Sequence, residues 1–405
     1  MLLRALKLIT TVWLTLLVLV ACGGGGSPSP AASGLKAIAT ESTVTISWDM
    51  VSGVEYWIFY APTSVVPAST ASMGGWIGLP GGVSMINVTS PYVASGLTNG
   101  VSYSFSVNGR TGGGPGGPGT TPVTATPMLA GSTWSLGSAT DARELRSAMF
   151  GSSYVAAGAS GAMYSSTDGA TWSAINYTTS SNLNGASYFG TYKLVGDAGL
   201  VLVSSDAVTW TAQTSGTTQN LYAVASNSIN LTVAVGANGT IITSPDGITW
   251  SAAVTSPATS NALYGVTYSS ATGTWVAVGA AGTVLRSTDG LNWTAVTSNV
   301  VTDLRGVTYG ASAFVAVGSS GTVLSSADGS TWTSQVSPLA MDLKAVTYGT
   351  QLVAVGAGGN VMTSTDAVTW TASAATGTTS NLNAIVRGTL AYVSIGAAGT
   401  NLLAK

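Results

Sequence analysis

The chain has no histidine, one cysteine, and charge on only 6% of its 405 residues. Without histidine it lacks the commonest metal ligand, the usual general base, and every Ser-His or Cys-His nucleophile pair. The 12 basic and 14 acidic side chains leave a net charge of −2. That balance argues against nucleic acid as a partner, because such binding is driven by neutralising phosphates. What is abundant is glycine, with 52 residues, alongside serine, threonine, alanine and valine. This composition suits short strands and tight turns, so an all-β protein is expected. The length allows two or three domains with substantial cores.

Arg4 and Lys7 precede an apolar run over residues 8–20, which ends in Leu19-Val20-Ala21-Cys22-Gly23. A positive start, a short apolar core and small residues at its end read as a secretory signal, too short to span a bilayer comfortably. The last five residues resemble the lipobox of bacterial lipoproteins. The resemblance implies that Cys22, the single cysteine, is lipidated and becomes the mature N-terminus. Each buried acyl methylene contributes about 0.8 kcal/mol, so several chains on one cysteine would anchor the protein to a membrane. The lipoprotein family exports such proteins to the outer membrane when no aspartate follows the cysteine. The expected division is a signal peptide over 1–21 and a flexible tether over 22–33 containing Gly-Gly-Gly-Gly-Ser-Pro-Ser-Pro. The expected location is the bacterial cell envelope.

Residues 34–127 carry short alternating runs, Thr43-Val-Thr-Ile-Ser-Trp48, Tyr56-Trp-Ile-Phe-Tyr60 and Tyr103-Ser-Phe-Ser-Val107, separated by turn residues. Alternation with period two predicts half-buried antiparallel strands and hence a β-sandwich. With Leu97-Thr-Asn-Gly-Val-Ser-Tyr103 and the closing Val123-Thr-Ala-Thr-Pro127, the segment resembles a fibronectin type III domain. Residues 109–119 are expected to loop between its last two strands. Their Gly-Arg-Thr lacks the aspartate of the integrin-binding tripeptide found in some relatives. Neither a lysine nor a helix follows the glycines, so this is not a phosphate loop.

From residue 145 the sequence repeats. Paired glycines recur at Gly158/Gly161, Gly196/Gly199, Gly236/Gly239, Gly279/Gly282, Gly318/Gly321, Gly356/Gly359 and Gly396/Gly399, at spacings of 38, 40, 43, 39, 38 and 40. Each pair follows a strand such as Leu304-Arg-Gly-Val-Thr-Tyr309 and precedes another such as Gly321-Thr-Val-Leu-Ser325, with a last strand at a tryptophan. Four short strands per forty residues make the blade of a β-propeller. The seventh copy ends without its tryptophan strand, while Ser132-Thr133-Trp134-Ser135 stands alone before the first. Residues 128–405 are therefore expected to form a seven-bladed propeller closed by pairing of its N- and C-terminal strands.

Six copies contain Ser-x-Asp-(Gly/Ala)-x-(Thr/Asn)-Trp, with Asp168, Asp206, Asp246, Asp289, Asp328 and Asp366 four positions before the tryptophan. An aspartate there can accept hydrogen bonds from the turn's own amides, and the indole plugs the turn. The motif resembles the Asp-box of BNR-repeat propellers, shortened by one residue, which implies a structural role away from the binding face. Calcium would need several converging oxygens, and each box supplies one carboxylate. No metal or cofactor is expected.

The tryptophan-to-leucine loops are uniform, at 11 to 13 residues, so no loop is enlarged as a substrate lid. What varies is the pair of residues flanking that leucine, read as sharing one side of the innermost strand. The pairs are Glu144/Arg146, Asn182/Asn184, Asn220/Tyr222, Ala262/Tyr264, Asp303/Arg305, Asp342/Lys344 and Asn381/Asn383. Repeats one, five and six carry acid-base pairs and repeats three and four carry tyrosine. The candidate ligand-binding residues at the mouth of a central channel are thus Glu144, Arg146, Tyr222, Tyr264, Asp303, Arg305, Asp342 and Lys344.

The repeat as a whole resembles the photosystem II stability and assembly factor group of propellers, which bind partner proteins without catalysis. That group commonly carries basic residues where Arg146, Arg305 and Lys344 stand, and four of the seven repeats here depart from this. The expectation is a monomeric, non-catalytic envelope lipoprotein binding a protein or glycan. The alternative is a glycoside hydrolase of sialidase or glucanase type, which needs two suitably spaced carboxyl groups or a tyrosine nucleophile. Glu144 is the only glutamate in the propeller segment.

Overall fold

The computed structural model describes residues 29, 31–66, 75–112, 116–138, 141–227, 231–256, 258–373, 375–389 and 391–404. The expected signal, Cys22 and most of the tether lie outside them. The chain divides into two compact units, Met1–Leu129 and Ala130–Lys405.

The first unit is built of β1 (Ser33–Thr40), β2 (Thr43–Asp49), β3 (Val54–Pro62), β4 (Val83–Val88), β5 (Tyr92–Ser95), β6 (Tyr103–Thr111) and β7 (Val123–Ala125). They form one sheet in the order β1-β2-β5 and another in the order β4-β3-β6-β7. Alternate residues of β2 are buried, Val44, Ile46 and Trp48, and they share a core with Tyr56, Ile58, Phe105 and Val107 of the other sheet. Each such large apolar side chain contributes roughly 1.5–3 kcal/mol when withdrawn from water. The Tyr103 hydroxyl accepts the amide N–H of Thr98 at 3.1 Å, pinning the chain as it enters β6. The sequence expected residues 109–119 to form a loop, but β6 runs on to Thr111. Arg110 is held there by the Trp57 ring, 4.7 Å from its guanidinium carbon, and by Glu55 at 2.7 Å.

Among its described residues the second unit carries seven sheets. The first strands of the seven repeats are Leu145–Phe150, Leu183–Phe189, Leu221–Ser226, Leu263–Ser269, Leu304–Gly310, Leu343–Tyr348 and Leu382–Arg387. Each lies beside the first strand of the next repeat, and the seventh lies beside the first. Ser135–Leu136 supplies the fourth strand of the seventh sheet, with Leu136 opposite Leu402 and Ser135 opposite Leu403. Valine- and leucine-rich second and third strands bury both faces, so the core is a series of layers between neighbouring sheets. Buried tyrosines tie these layers through their hydroxyls: Tyr192 accepts the amides of Ser152 and Ser153, and Tyr154 donates to the carbonyl of Ala391 at 3.1 Å.

The Gly-x-x-Gly elements are tight turns whose third residue is left-handed, as at Ser160 with φ 50°. The first glycine is required by crowding, since a Cβ on Gly158 would stand 2.0 Å from the carbonyl oxygen of Glu144. The longest tryptophan-to-leucine segment, between Trp250 and Leu263, adds a short strand, Val254–Ser256, parallel to Asn292–Val296.

Candidate functional site

The residues after the leucines, Arg146, Asn184, Tyr222, Tyr264, Arg305, Lys344 and Asn383, all line one cavity of about 200 Å³ between the seven first strands. A β-bulge puts them there. In every repeat the pairing of first and second strands skips one residue between the leucine and the residue two places on. A bulged residue has no partner opposite it and is re-aimed relative to its neighbours.

The residues before the leucines, expected to share this side, stand behind the lining instead, where Glu144 and Asp303 bond to Arg146 and Arg305. All seven residues before the leucines are absent from the cavity lining. In five repeats their side-chain oxygens instead accept the N–H of the left-handed residue in the preceding repeat's turn. Asn182 accepts from Ser160, Asn220 from Ala198, Asp303 from Ala281, Asp342 from Ser320 and Asn381 from Gly358, at 2.8 to 3.0 Å. Asp303 and Asp342 are therefore inter-repeat caps before they are anything else. The residue type carried the signal: asparagine or aspartate in five of seven copies, each with a short side chain ending in an acceptor oxygen.

The ring has two unlike halves. On one side a hydrogen-bonded chain runs without a gap. Asn383 donates to Glu144 at 3.1 Å, Arg146 donates to Glu144 and to Asn184, and Asn184 donates to Asp197 at 2.9 Å. Asp197, in the turn of repeat two, also accepts from Asn182 at 2.7 Å. Neither Asp197 nor the two asparagines Asn184 and Asn383 stood among the candidate ligand-binding residues. On the other side Tyr222 and Tyr264 stack with ring centres 5.7 Å apart, and the Arg305 guanidinium lies 4.5 Å over Tyr264. Arg305 donates to Asp303 at 2.9 Å. Among the described residues the Tyr222 and Tyr264 hydroxyls make no hydrogen bond. The expected Asp342–Lys344 pair is not formed either, because Lys344 takes part in none of the ion pairs. A cavity of this size suits one side chain or a chain end, being smaller than the roughly 300–1,000 Å³ of small-molecule pockets.

Three wider recesses, of about 680, 450 and 410 Å³, lie between Gly-x-x-Gly turns and the Ser/Thr loops of repeats two, three and six. Their linings are backbone, hydroxyls, the amides of Gln213 and Asn360 and apolar groups up to the size of Trp250, with Asp197 the one charged side chain. They offer little chemistry for recognition compared with the ring.

The aspartates of the repeated motif sit in their own turns. Asp246 Oδ1 accepts the amides of Thr249 at 2.7 Å and Ile248 at 2.8 Å and the hydroxyl of Ser244. Asp168, Asp206, Asp289, Asp328 and Asp366 do the same. These bonds favour the ionised form, and the amides of Thr171, Thr209, Thr249 and Thr369 lead in holding Asp168, Asp206, Asp246 and Asp366 down at about 2. Around Asp289 burial works the other way and is outweighed by the amide and side chain of Asn292. The next tryptophan closes the turn, as where Trp293 Nε1 donates to Gly290 at 2.9 Å. Among the described residues no three His, Cys, Asp or Glu side chains cluster as metal ligands.

No family model matches the chain, and no curated protein does. Solved structures do. YCF48 bound to D1 peptide matches at 16% identity with a TM-score of 0.56, covering 67% of this chain and 96% of that one. YCF48 from Cyanidioschyzon merolae matches at 17% identity and 0.55, covering 67% and 98%. The WD40 β-propeller domain of Doa1 matches at 11% identity and 0.53, covering 67% and 97%. At these identities the likeness is one of fold: the chain is all-β and contains a β-propeller.

Proposed function

We propose that the chain is a non-catalytic binding protein whose propeller takes an acidic stretch of a polypeptide partner at the channel mouth. One observation carries this reading. In the Tyr222–Tyr264–Arg305–Lys344 half of the ring, the Lys344 ammonium and the two tyrosine hydroxyls have no partner among the described residues, while the opposite half is bonded within itself. An unpaired ammonium beside an aromatic shelf, with a guanidinium stacked on that shelf, suits a carboxylate carried by an extended chain. The fold neighbour that holds a peptide supports a polypeptide over a glycan. The hydrolase alternative loses support because Glu144 is engaged by Arg146 and Asn383, and Asp303 by Arg305 and the Ala281 amide.

The finer architecture belongs to the same proposal. A ring of seven blades is supported by the pairing of Ser135–Leu136 with the last strand and by the contact of the seventh first strand with the first. A fibronectin type III reading of the first unit is supported by its three- and four-stranded sheets and the Tyr103 hydrogen bond. The self-bonded aspartate turns support the Asp-box assignment. Tethering to the envelope through Cys22 rests on the sequence of residues 4–23.

The test is fluorescence anisotropy of a labelled oligo-aspartate peptide with the full chain. Binding should weaken with salt and fall roughly tenfold or more in Arg305→Ala/Lys344→Ala, since hydrogen bonds to charged groups are worth about 1.5–3 kcal/mol. Equal affinity of wild type and variant rejects the site. Hydrolysis of a glycan-array member that vanishes in Glu144→Gln would replace this reading with the hydrolase.

A further inference from the structure

We propose that the recess beside Asp197 takes a basic side chain, lysine or arginine, of the same polypeptide whose acidic stretch lies at the channel mouth. This rests on the function proposed above and adds a second contact of opposite charge. Asp197 stands in the Gly-x-x-Gly turn of repeat two, where the other six turns carry alanine or serine: Ala159, Ala237, Ala280, Ser319, Ala357 and Ala397. The turn therefore needs no acid in order to form. The recess that Asp197 lines, of about 680 Å³, is the widest of the three, and the rest of its lining is uncharged.

The other carboxylates of the propeller are engaged. The six turn aspartates bond their own amides. Asp141, Glu144 and Asp303 pair with Arg143, Arg146 and Arg305, and Asp342 accepts the amide of Ser320. Asp197 has no cation beside it among the described residues; its oxygens accept only the neutral side-chain amides of Asn182 at 2.7 Å and Asn184 at 2.9 Å, one each. A carboxylate offers about four lone-pair directions, so two stay available for an incoming donor. A bond from an ammonium or guanidinium there is charge-assisted and stronger than one from a neutral group.

The surroundings select the kind of cation. Ser181, Gln213 and Thr214 add acceptor oxygens, and Leu200 offers an apolar surface for an aliphatic stem. A divalent ion would need several converging oxygens of higher charge than one carboxylate supplies. Asn184 ties the recess to the channel mouth. Its Nδ2 donates to Asp197, its Oδ1 accepts from Arg146 at 3.1 Å, and it lines the ring cavity, so one side chain separates the two places. The surface thus presents the unpaired Lys344 ammonium in one half of the ring and the uncompensated Asp197 carboxylate beside the other half. A chain with an acidic and a basic residue a few positions apart complements both, and a purely acidic one complements only the first.

Fluorescence anisotropy of the full chain with labelled, C-terminally amidated peptides tests it. The peptides are oligo-aspartate followed by a spacer of about one to six glycines, each adding roughly 3.5 Å, and then arginine or glutamine. At the best spacing arginine should bind roughly fivefold tighter than glutamine, and this ratio should fall to about one in Asp197→Ala, which installs the residue that most other turns carry. The ratio isolates the recess from any change that freeing Asn184 makes in the ring. Equal affinity of the two peptides at every spacing overturns the proposal and leaves the acidic contact standing. So does a ratio that Asp197→Ala preserves. N-acetylarginine methylamide probes the recess without the ring: it should shift the side-chain amide NMR signals of Asn182 and Asn184, and N-acetylglutamine methylamide should not. Unmoved signals overturn the proposal even if oligo-aspartate does not bind.

Discussion

In the second unit the outermost strands of the sheets mostly have two or three residues, such as Ser173–Ala174 and Thr333–Ser334, and the longest, Asn292–Val296, is covered by Val254–Ser256. In the sandwich the six-residue β4 ends its sheet with no strand on its outer side among the described residues. Both units draw on the same polar, glycine-rich vocabulary, yet one hides its edges and the other leaves one open. The difference follows from repetition. A repeat that must pack on two identical neighbours keeps its long strands inside the layer and lets only a short strand reach the rim. A two-sheet sandwich has two edges per sheet and no neighbour to cover them.

The two units should also fail differently. The largest effect is expected from Trp293→Ala, which removes an indole only 1% exposed and leaves a cavity, at a cost of about 3–5 kcal/mol. Denaturant unfolding should show the propeller transition shifted and the sandwich transition in place. Movement of both by the same amount would mean that the two units unfold as one.

Acid should separate them next. The six turn aspartates belong to the propeller alone, and four of them titrate at about 2 in the folded chain against about 3.9 when unfolded. A depressed carboxylate contributes its stability above the unfolded value and loses it as pH falls through the folded one. The melting temperature of the propeller should therefore drop between about pH 4 and pH 2, and Asp246→Asn should flatten that drop. A propeller transition that is level across this window would contradict the account of the turns.

The smallest effect is expected at Lys193. It is 4% exposed, has no carboxylate partner among the described residues, and donates to Thr191 Oγ1 at 2.8 Å. The corresponding positions of the other repeats carry valine, as at Val155, Val233 and Val276. Burial lowers its pKa, so at neutral pH the folded state pays for a charge that the unfolded chain carries freely. Lys193→Val should raise the melting temperature at pH 7, and the gain should shrink as pH rises toward the ordinary lysine value. A loss of stability would mean that the ammonium has a partner worth more than its burial costs.

Much of the architecture was readable because it is periodic. Paired glycines at nearly constant spacing and a tryptophan four residues after each aspartate mark turns that any single repeat would leave ambiguous. The candidate site was only half readable. Arg146, Tyr222, Tyr264, Arg305 and Lys344 were placed in the channel lining by their position after the leucine. Glu144, Asp303 and Asp342 were grouped with them on a period-two argument that takes no account of the bulge, and they stand outside the lining, with Glu144 and Asp303 bonded to Arg146 and Arg305. Asp197, in a turn where the other repeats have alanine or serine, was invisible as a partner of Asn182 and Asn184 until the first two strands of the second repeat paired and brought its turn back beside them.

The sequence alone determined the repeat, its turns and its burial pattern, because these depend on residues a few positions apart: an aspartate bonding amides two and three places on, or a glycine where a Cβ has no room. Which residues face the cavity, and which ones a neighbouring repeat consumes as caps, was decided only in the tertiary structure. One unpaired residue per first strand shifts every later side chain relative to its partners, and whether a donor is spent or free depends on acceptors that arrive from another repeat.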